Sequence, residues 1–251
     1  MKKTIFLIIL GIVTVGCIIY GTVYHVGGGF RHLKNSGIFV SDDGNEDGKF
    51  SFHFDFDTDE ETNNEHNLNQ KLEAFSKIKI DSAIMEIRIE EGKDFYISSN
   101  WNRDWLRPEV SVNNGVLNVI QKSNRKNKAG TNNCRLTLTV PAGSKFEFLK
   151  INSNVGEIKI RKIDAEDIDI DLNVGEISLR DVNFENVTID NNVGEVSVDT
   201  DANIDDYDIS LSTDVGDVNV EGNRFKHSYN HKGNSRNQIK IDTNVGEINV
   251  K

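Results

Sequence analysis

The residues best placed to do chemistry are carboxylates that recur at fixed places. The phrase Asn-Val-Gly-Glu-Ile, or a close variant, sets Glu157, Glu176, Glu195 and Glu247 directly after a glycine, and Asp217 in the same way. Stacked in sequence order, these side chains would form one acidic column, with Asn154, Asn173, Asn192, Asp214 and Asn244 in a second column beside it. Such a row of hard oxygen ligands could accept Ca²⁺. The plainer reading is a solvated acidic edge. Unit charges about 4.8 Å apart in water repel by only about 0.9 kcal/mol, which outward-splayed side chains tolerate. Asp199, Asp201, Asn203 and Asp205 have the odd-position spacing of a calcium loop. Ile204 stands where that loop needs glycine and Ser210 where it needs glutamate, so the sharp turn and the bidentate ligand are both missing.

Other reactive groups are sparse. His227 and His231 lie four apart, but Gly233 and Asn234 mark the segment as a loop, and no cysteine or third histidine is near enough for zinc. Cys134 has no evident base and reads as a plain thiol, and Cys17 lies in an apolar run, so no disulfide is expected. There is no phosphate-cradling glycine loop and no nucleophile elbow. No catalytic residue and no cofactor is assigned. A net charge of -11 argues against nucleic acid, whose phosphates need a basic face. Basic residues do cluster in two places. One segment runs from Gly222 to Asn237 with Arg224, Lys226, His227, His231, Lys232 and Arg236, and the other runs from Lys122 to Lys128. Both are expected to be loops, where point charges could contact anionic wall polymers.

The elements that carry these residues follow from the repeat. The phrase valines are 155, 174, 193, 215 and 245, giving steps of 19, 19, 22 and 30. A period near twenty with strand composition indicates stacked β coils. Around one copy, Ile168, Ile170, Leu172 and Val174 alternate with polar residues, and Ile177 and Leu179 follow after a three-residue step. A period-two pattern that slips by one marks a corner. This predicts valine inward, glycine turning and glutamate outward, with corners at Gly156, Gly175, Gly194, Gly216 and Gly246. On the left-handed conformation alone, Gly175→Ala would cost about 1–2 kcal/mol. The fold class is therefore all-β, a parallel β-solenoid over 71–251.

Upstream, Lys2 and Lys3 precede the apolar run from Ile5 to Tyr24. Twenty such residues in a helix span about 30 Å, the depth of a bilayer core. Residues 1–26 are thus expected to be a retained transmembrane helix, with a lipoprotein signal ending at Cys17 as the rival. Residues 27–70 read as a flexible acidic linker. Within it Phe50, Phe52, Phe54 and Phe56 alternate, as in an edge strand docking on the domain or a strand added to a partner. The repeats are placed outside the cell, because long polar domains translocate largely regardless of charge.

Leu136 to Pro141, the strand from Phe146 to Ile151 and the repeated corners resemble the toast-rack family of bacterial β-strand-repeat proteins, labelled adhesins. The resemblance covers roughly Leu72 to Lys251. It implies a β-solenoid on the bacterial surface, tied to cell-envelope stress systems, with no catalytic residues to carry over. The expected function is a non-enzymatic, membrane-anchored module that binds or scaffolds, with anionic cell-wall polymers or envelope-stress membrane proteins as partners. The alternative is a polysaccharide-binding or polysaccharide-cleaving β-helix protein.

Overall fold

The computed structural model describes residues 66–122 and 132–251, together with the backbone pairing of 38–39 and 53–54. The expected membrane span and most of the linker lie outside these residues, as do positions 123–128 of the first basic segment. Among the described residues no helix is long and apolar enough to cross a membrane. The phenylalanine strand is represented by β2 (His53–Phe54), which pairs antiparallel with β1 (Ile38–Phe39). That short ladder is separate from the main sheet, so the described part does not dock as the domain edge strand that alternation suggested.

The main sheet is folded into two walls that share a core. At its centre are β10 (Lys145–Arg161) and β11 (Asp164–Arg180), strands of 17 residues each that pair parallel and in register, Phe146 on Ala165 through Arg161 on Arg180. Pairing lapses opposite Glu147 and again opposite Asn154, so each strand bends twice and runs from one wall into the other. Before β10, the same path is drawn by β4 (Lys77–Ile84) and β5 (Glu86–Gly92). After β11, it is drawn by β12 (Asn183–Val193) and β13 (Val196–Val198).

The stacking order departs from the order in sequence. β16 (Gln238–Val245) and β17 (Ile248–Val250), the final strands, lie directly on β12 and β13. β14 (Asp208–Val220), which precedes them in the chain, pairs with their far side. The chain leaves coil β12–β13, passes through a 3-10 turn at Ile204–Asp206 and forms β14 one rung too far out. The C-terminus then fills the gap. The expected column order ending at residues 217 and 247 is therefore corrected to 247 then 217.

The ends also differ from a purely parallel solenoid. One wall continues past β5 through β9 (Cys134–Pro141), then β6 (Tyr96–Trp101) and β3 (His66–Lys71), the last two pairings antiparallel. The other continues past β4 through β8 (Val116–Ile120) to β7 (Glu109–Asn113). At the opposite end β15 (Asn223–His231) folds back antiparallel on β14. Hairpins at both ends suit a stack whose terminal rungs would otherwise offer long unpaired edges.

Register makes the core a set of aliphatic columns. Ile80, Ile151, Ile170, Ile189, Ile241 and Leu211 lie one above another in one wall. Ile87, Ile158, Ile177, Val196, Ile248 and Val218 do so in the other. All twelve are at most 1% exposed, so branched aliphatic side chains, mostly isoleucine, repeat down a dry interior. The first corner, at Ala83 to Met85, has no coil beneath it. Buried Gln121 takes that place: its Oε1 accepts from the N–H groups of Ala83 at 3.0 Å and Ile84 at 2.8 Å, and its Nε2 donates to the Leu106 carbonyl at 2.8 Å. Gln121→Ala is expected to lower stability by about 2 kcal/mol by stranding two backbone donors. Urea unfolding of the variant checks this; an unchanged midpoint would show that water replaces the amide at no cost.

Candidate functional site

The repeated phrase is built around backbone contact between rungs. Gly156, Gly175, Gly194, Gly246 and Gly216 have φ of 156, 145, 139, 152 and 152°. A Cβ on each would fall 1.7–1.9 Å from the carbonyl oxygen of the corner residue one rung below, which is Met85, Gly156, Gly175, Gly194 and Gly246 in turn. Only glycine lets the corners close to this distance. Met85 can be a larger residue because no corner lies below it.

The valines are not inward. Val155, Val174, Val193 and Val245 are half-buried and Val215 is 58% exposed, so they form an outer ridge. The inner corner position belongs to Ser82, Ser153, Leu172, Asn191, Thr243 and Thr213, all buried. There Ser82 donates to Ser153 at 2.8 Å, Thr243 to the Asn191 carbonyl at 2.8 Å and Thr213 to the Gly246 carbonyl at 3.0 Å. Beside the ridge, Asn173 donates to Asn154, Asn192 to Asn173 and Asn244 to Asn192, each at 2.7–2.8 Å. Asp214 ends this amide ladder; as a carboxylate it has no proton to pass on.

The acidic column gains one member and is only partly solvated. Register adds Glu86 below Glu157, giving Glu86, Glu157, Glu176, Glu195, Glu247 and Asp217. Glu86 is 3% exposed and the other five are half-buried. The five half-buried carboxylates keep part of their surface in water and spend the rest on neighbours. Glu157 pairs with Lys159, Glu195 accepts from Asn249 at 2.9 Å, and Glu247 accepts from Asn219. Both ends of the column are closed by arginine. Glu86 takes Arg88 at 2.8 Å and Arg135 at 2.7 Å, and Asp217 takes Arg224. Among the described residues no group of three or more acidic, histidine or cysteine side chains is arranged to hold a metal. The calcium-like run is occupied by local bonds instead, with Asn203 capping the Asp205 N–H at 3.2 Å and Thr200 accepting from the Ala202 N–H.

The second basic segment is largely a strand, not a loop. Arg224, Lys226, His227 and His231 lie on β15, which covers the last rung, and Lys232 and Arg236 follow it. The strand rounds the glycine corner at His227, whose φ of 63° replaces the glycine of the rungs below. Arg224 is opposite Asn219 and Lys226 opposite Asp217, so the basic residues neutralise the acidic end of the stack. Lys232 binds Asp208, and His231 comes within 3.4 Å of the Asp205 carbonyl. The sequence signal for strand was the alternation of Phe225 and Tyr229, whose rings pack at 4.7 Å.

These ion pairs make the cap acid-sensitive. The ion pair with Arg224 holds the Asp217 carboxyl below its usual range, and Lys232 with the Gly233 N–H does the same for Asp208. A lowered folded-state pKa stabilises above the unfolded value of about 3.9 and is lost as pH falls through the folded value. Hydrogen exchange at β15 is therefore expected to quicken below about pH 4 relative to β11. Equal protection of the two strands across that range would show the pairs to be incidental.

Cys134 is buried with Sγ 3.6 Å from the Leu106 carbonyl, and burial pushes its pKa up to about 11, so it stays a protonated thiol at neutral pH. One feature had no sequence signal. Asn67 and Asn69 of β3, Ser98, Ser99 and Asn100 of β6, and Arg135 and Thr137 of β9 line a shallow basin of about 190 Å³, in which buried Ser99 already donates to the Arg135 carbonyl at 2.9 Å. It is assembled from three antiparallel strands distant in the chain, so no spacing announces it.

The Toastrack DUF4097 family model matches residues 75–251. No curated protein matches the chain. Among solved structures, a "putative cell adhesion protein" from Clostridium sporogenes is similar at 22% identity, covering 74% of this chain and 99% of that one with a TM-score of 0.60. A "putative adhesin" from Bacteroides fragilis covers 76% and 98% at 12% identity, with a TM-score of 0.36. The first likeness speaks to fold alone and the second carries no argument. From Phe75 to Lys251, corners and cap included, the chain belongs to the Toastrack DUF4097 family.

Proposed function

We propose that the protein is a non-enzymatic, membrane-anchored module that holds its β stack outside the cell and acts by binding or scaffolding, as an adhesin or a cell-envelope stress component. The apolar run from Ile5 to Tyr24 supports the anchor, and the acidic stretch after it supports a spacer. The adhesive half of the proposal takes its wording from the Clostridium sporogenes structure described as a "putative cell adhesion protein", whose likeness to this chain is one of fold. The observation that carries the reading is the basic cap on an acidic rod. On a chain of net charge -11, β15 and the residues after it gather Arg224, Lys226, Lys232 and Arg236 at one end. Arg224 and Lys232 are engaged with Asp217 and Asp208, while Lys226 and Arg236 form no ion pair among the described residues. That end fits anionic envelope polymers, held by point charges and released by salt.

The test has two arms. Protease added to intact protoplasts should remove a C-terminal tag; a protected tag contradicts the outward orientation. Lys226→Glu with Arg236→Glu should weaken retention on purified cell wall by about tenfold, measured where the variant is still folded, since the new carboxylate opposite Asp217 will lower the melting temperature slightly. Unchanged retention removes the cap as the binding end.

A further inference from the structure

We propose that the polar basin on β3, β6 and β9 is a second binding site, for a hydroxyl-rich anionic glycan. The basin is a flat piece of wall whose outward side chains form two rows across the strands. Asn67, Asn100 and Arg135 face one another in one row, and Asn69, Ser98 and Thr137 in the other. Among the described residues, the side chains of Asn67, Asn69, Ser98, Asn100 and Thr137 make no hydrogen bond to protein. At the glycine corner the opposite holds, for there the asparagines of adjacent rungs consume one another's donors and acceptors. In the basin three amides and two hydroxyls keep both functions outward, which is what vicinal hydroxyls require. No aromatic ring lines it, so a nucleobase or an apolar ligand has nothing to stack on.

Arg135 supplies the anion preference. Its Nε is fixed on the Glu86 carboxylate at 2.7 Å, and its terminal nitrogens make no hydrogen bond to protein. Glu86 is in turn held by Arg88, at 2.9 Å from Nε. Two arginines against one carboxylate leave one net positive charge beside the basin, and no acidic side chain lines it. A guanidinium pinned through Nε presents the rest of its fork in a fixed direction, the geometry that reads a carboxylate or phosphate in two parallel bonds. Being on strands, the site is pre-organised.

The test uses the full-length chain with four probes: a hexameric oligogalacturonate, its neutral galactose counterpart, a glycerol-phosphate oligomer and inorganic phosphate. One or both anionic oligomers should bind, with the neutral one at least about tenfold weaker, and the stronger of the two names the anion. Free phosphate should compete poorly, because it engages only Arg135. Asn67→Asp with Asn69→Asp, both exposed and unbonded, should abolish this binding while leaving the melting temperature alone. Equal binding of the neutral oligomer, no binding of either anionic one, or full binding by the aspartate variant each overturns the proposal. If oligomer binding is lost with Lys226→Glu and Arg236→Glu but survives in the aspartate variant, the basin is rejected and the cap reading stands.

Discussion

Gly175→Ala should lower stability by at least about 4 kcal/mol, well beyond what a left-handed backbone alone would cost. The added Cβ would lie 1.7 Å from the Gly156 carbonyl oxygen and 2.8 Å from its carbon. Both are backbone atoms in the next rung, so relief means separating two coils and their ladder. Gly222→Ala is the control. Its φ of 77° is also left-handed, but nothing lies within 4 Å of its added Cβ. That variant should lose only about 1 kcal/mol. Denaturant midpoints of the two variants separate strain from close approach; similar losses would refute the contact between corners.

The second large effect is expected where the acidic column begins. Replacing Arg88 and Arg135 together by alanine leaves Glu86, whose side chain is 4% exposed, without a cation. Stranding a buried charge costs about 3–5 kcal/mol. Adding Glu86→Gln to the same chain should recover most of the loss. Glu86→Gln alone should be milder, because the arginine side chains are 43% and 46% exposed and can return to water. If the double arginine variant is as stable as its parent, the carboxylate has found water or a proton and the clamp is not structural.

How much of this was readable from the residues depends on what each pattern encodes. The corners at Gly156, Gly175, Gly194, Gly216 and Gly246 were legible because an apolar period that slips beside a glycine has few other solutions. The side of the valine was not. Counting by twos from Ile170 passes through Leu172 to Val174, yet the chain begins to bend after Leu172 and buries Gly175 and Ile177 next. Rung order was illegible for a different reason. Every coil carries the same aliphatic columns, so Val193 could rest on Val215 or Val245 with equal packing. The choice is made by the turn after Val198 and by the hairpin of β15, whose geometry no periodicity carries. The basic segment looked like a loop because Gly222, Gly233 and Asn234 frame it, while its strand signal is only two aromatics among charges. The basin could not be foreseen at all, since its residues meet only through pairing of β3, β6 and β9.

The out-of-order stack underlies the rest: it makes β15 the terminal strand and places the basic residues at the end of the acidic column. Paired cysteines test it directly. Val193 lies in register with Val245, and neighbouring strands are about 4.8 Å apart, within disulfide reach. Val193 and Val215 flank the β16–β17 coil and stand about 10 Å apart, beyond that reach. Under mild oxidation, Val193→Cys with Val245→Cys should crosslink in the folded protein, and Val193→Cys with Val215→Cys should not. Crosslinking of the second pair, with the first left open, would restore the order of the sequence and contradict the fold described.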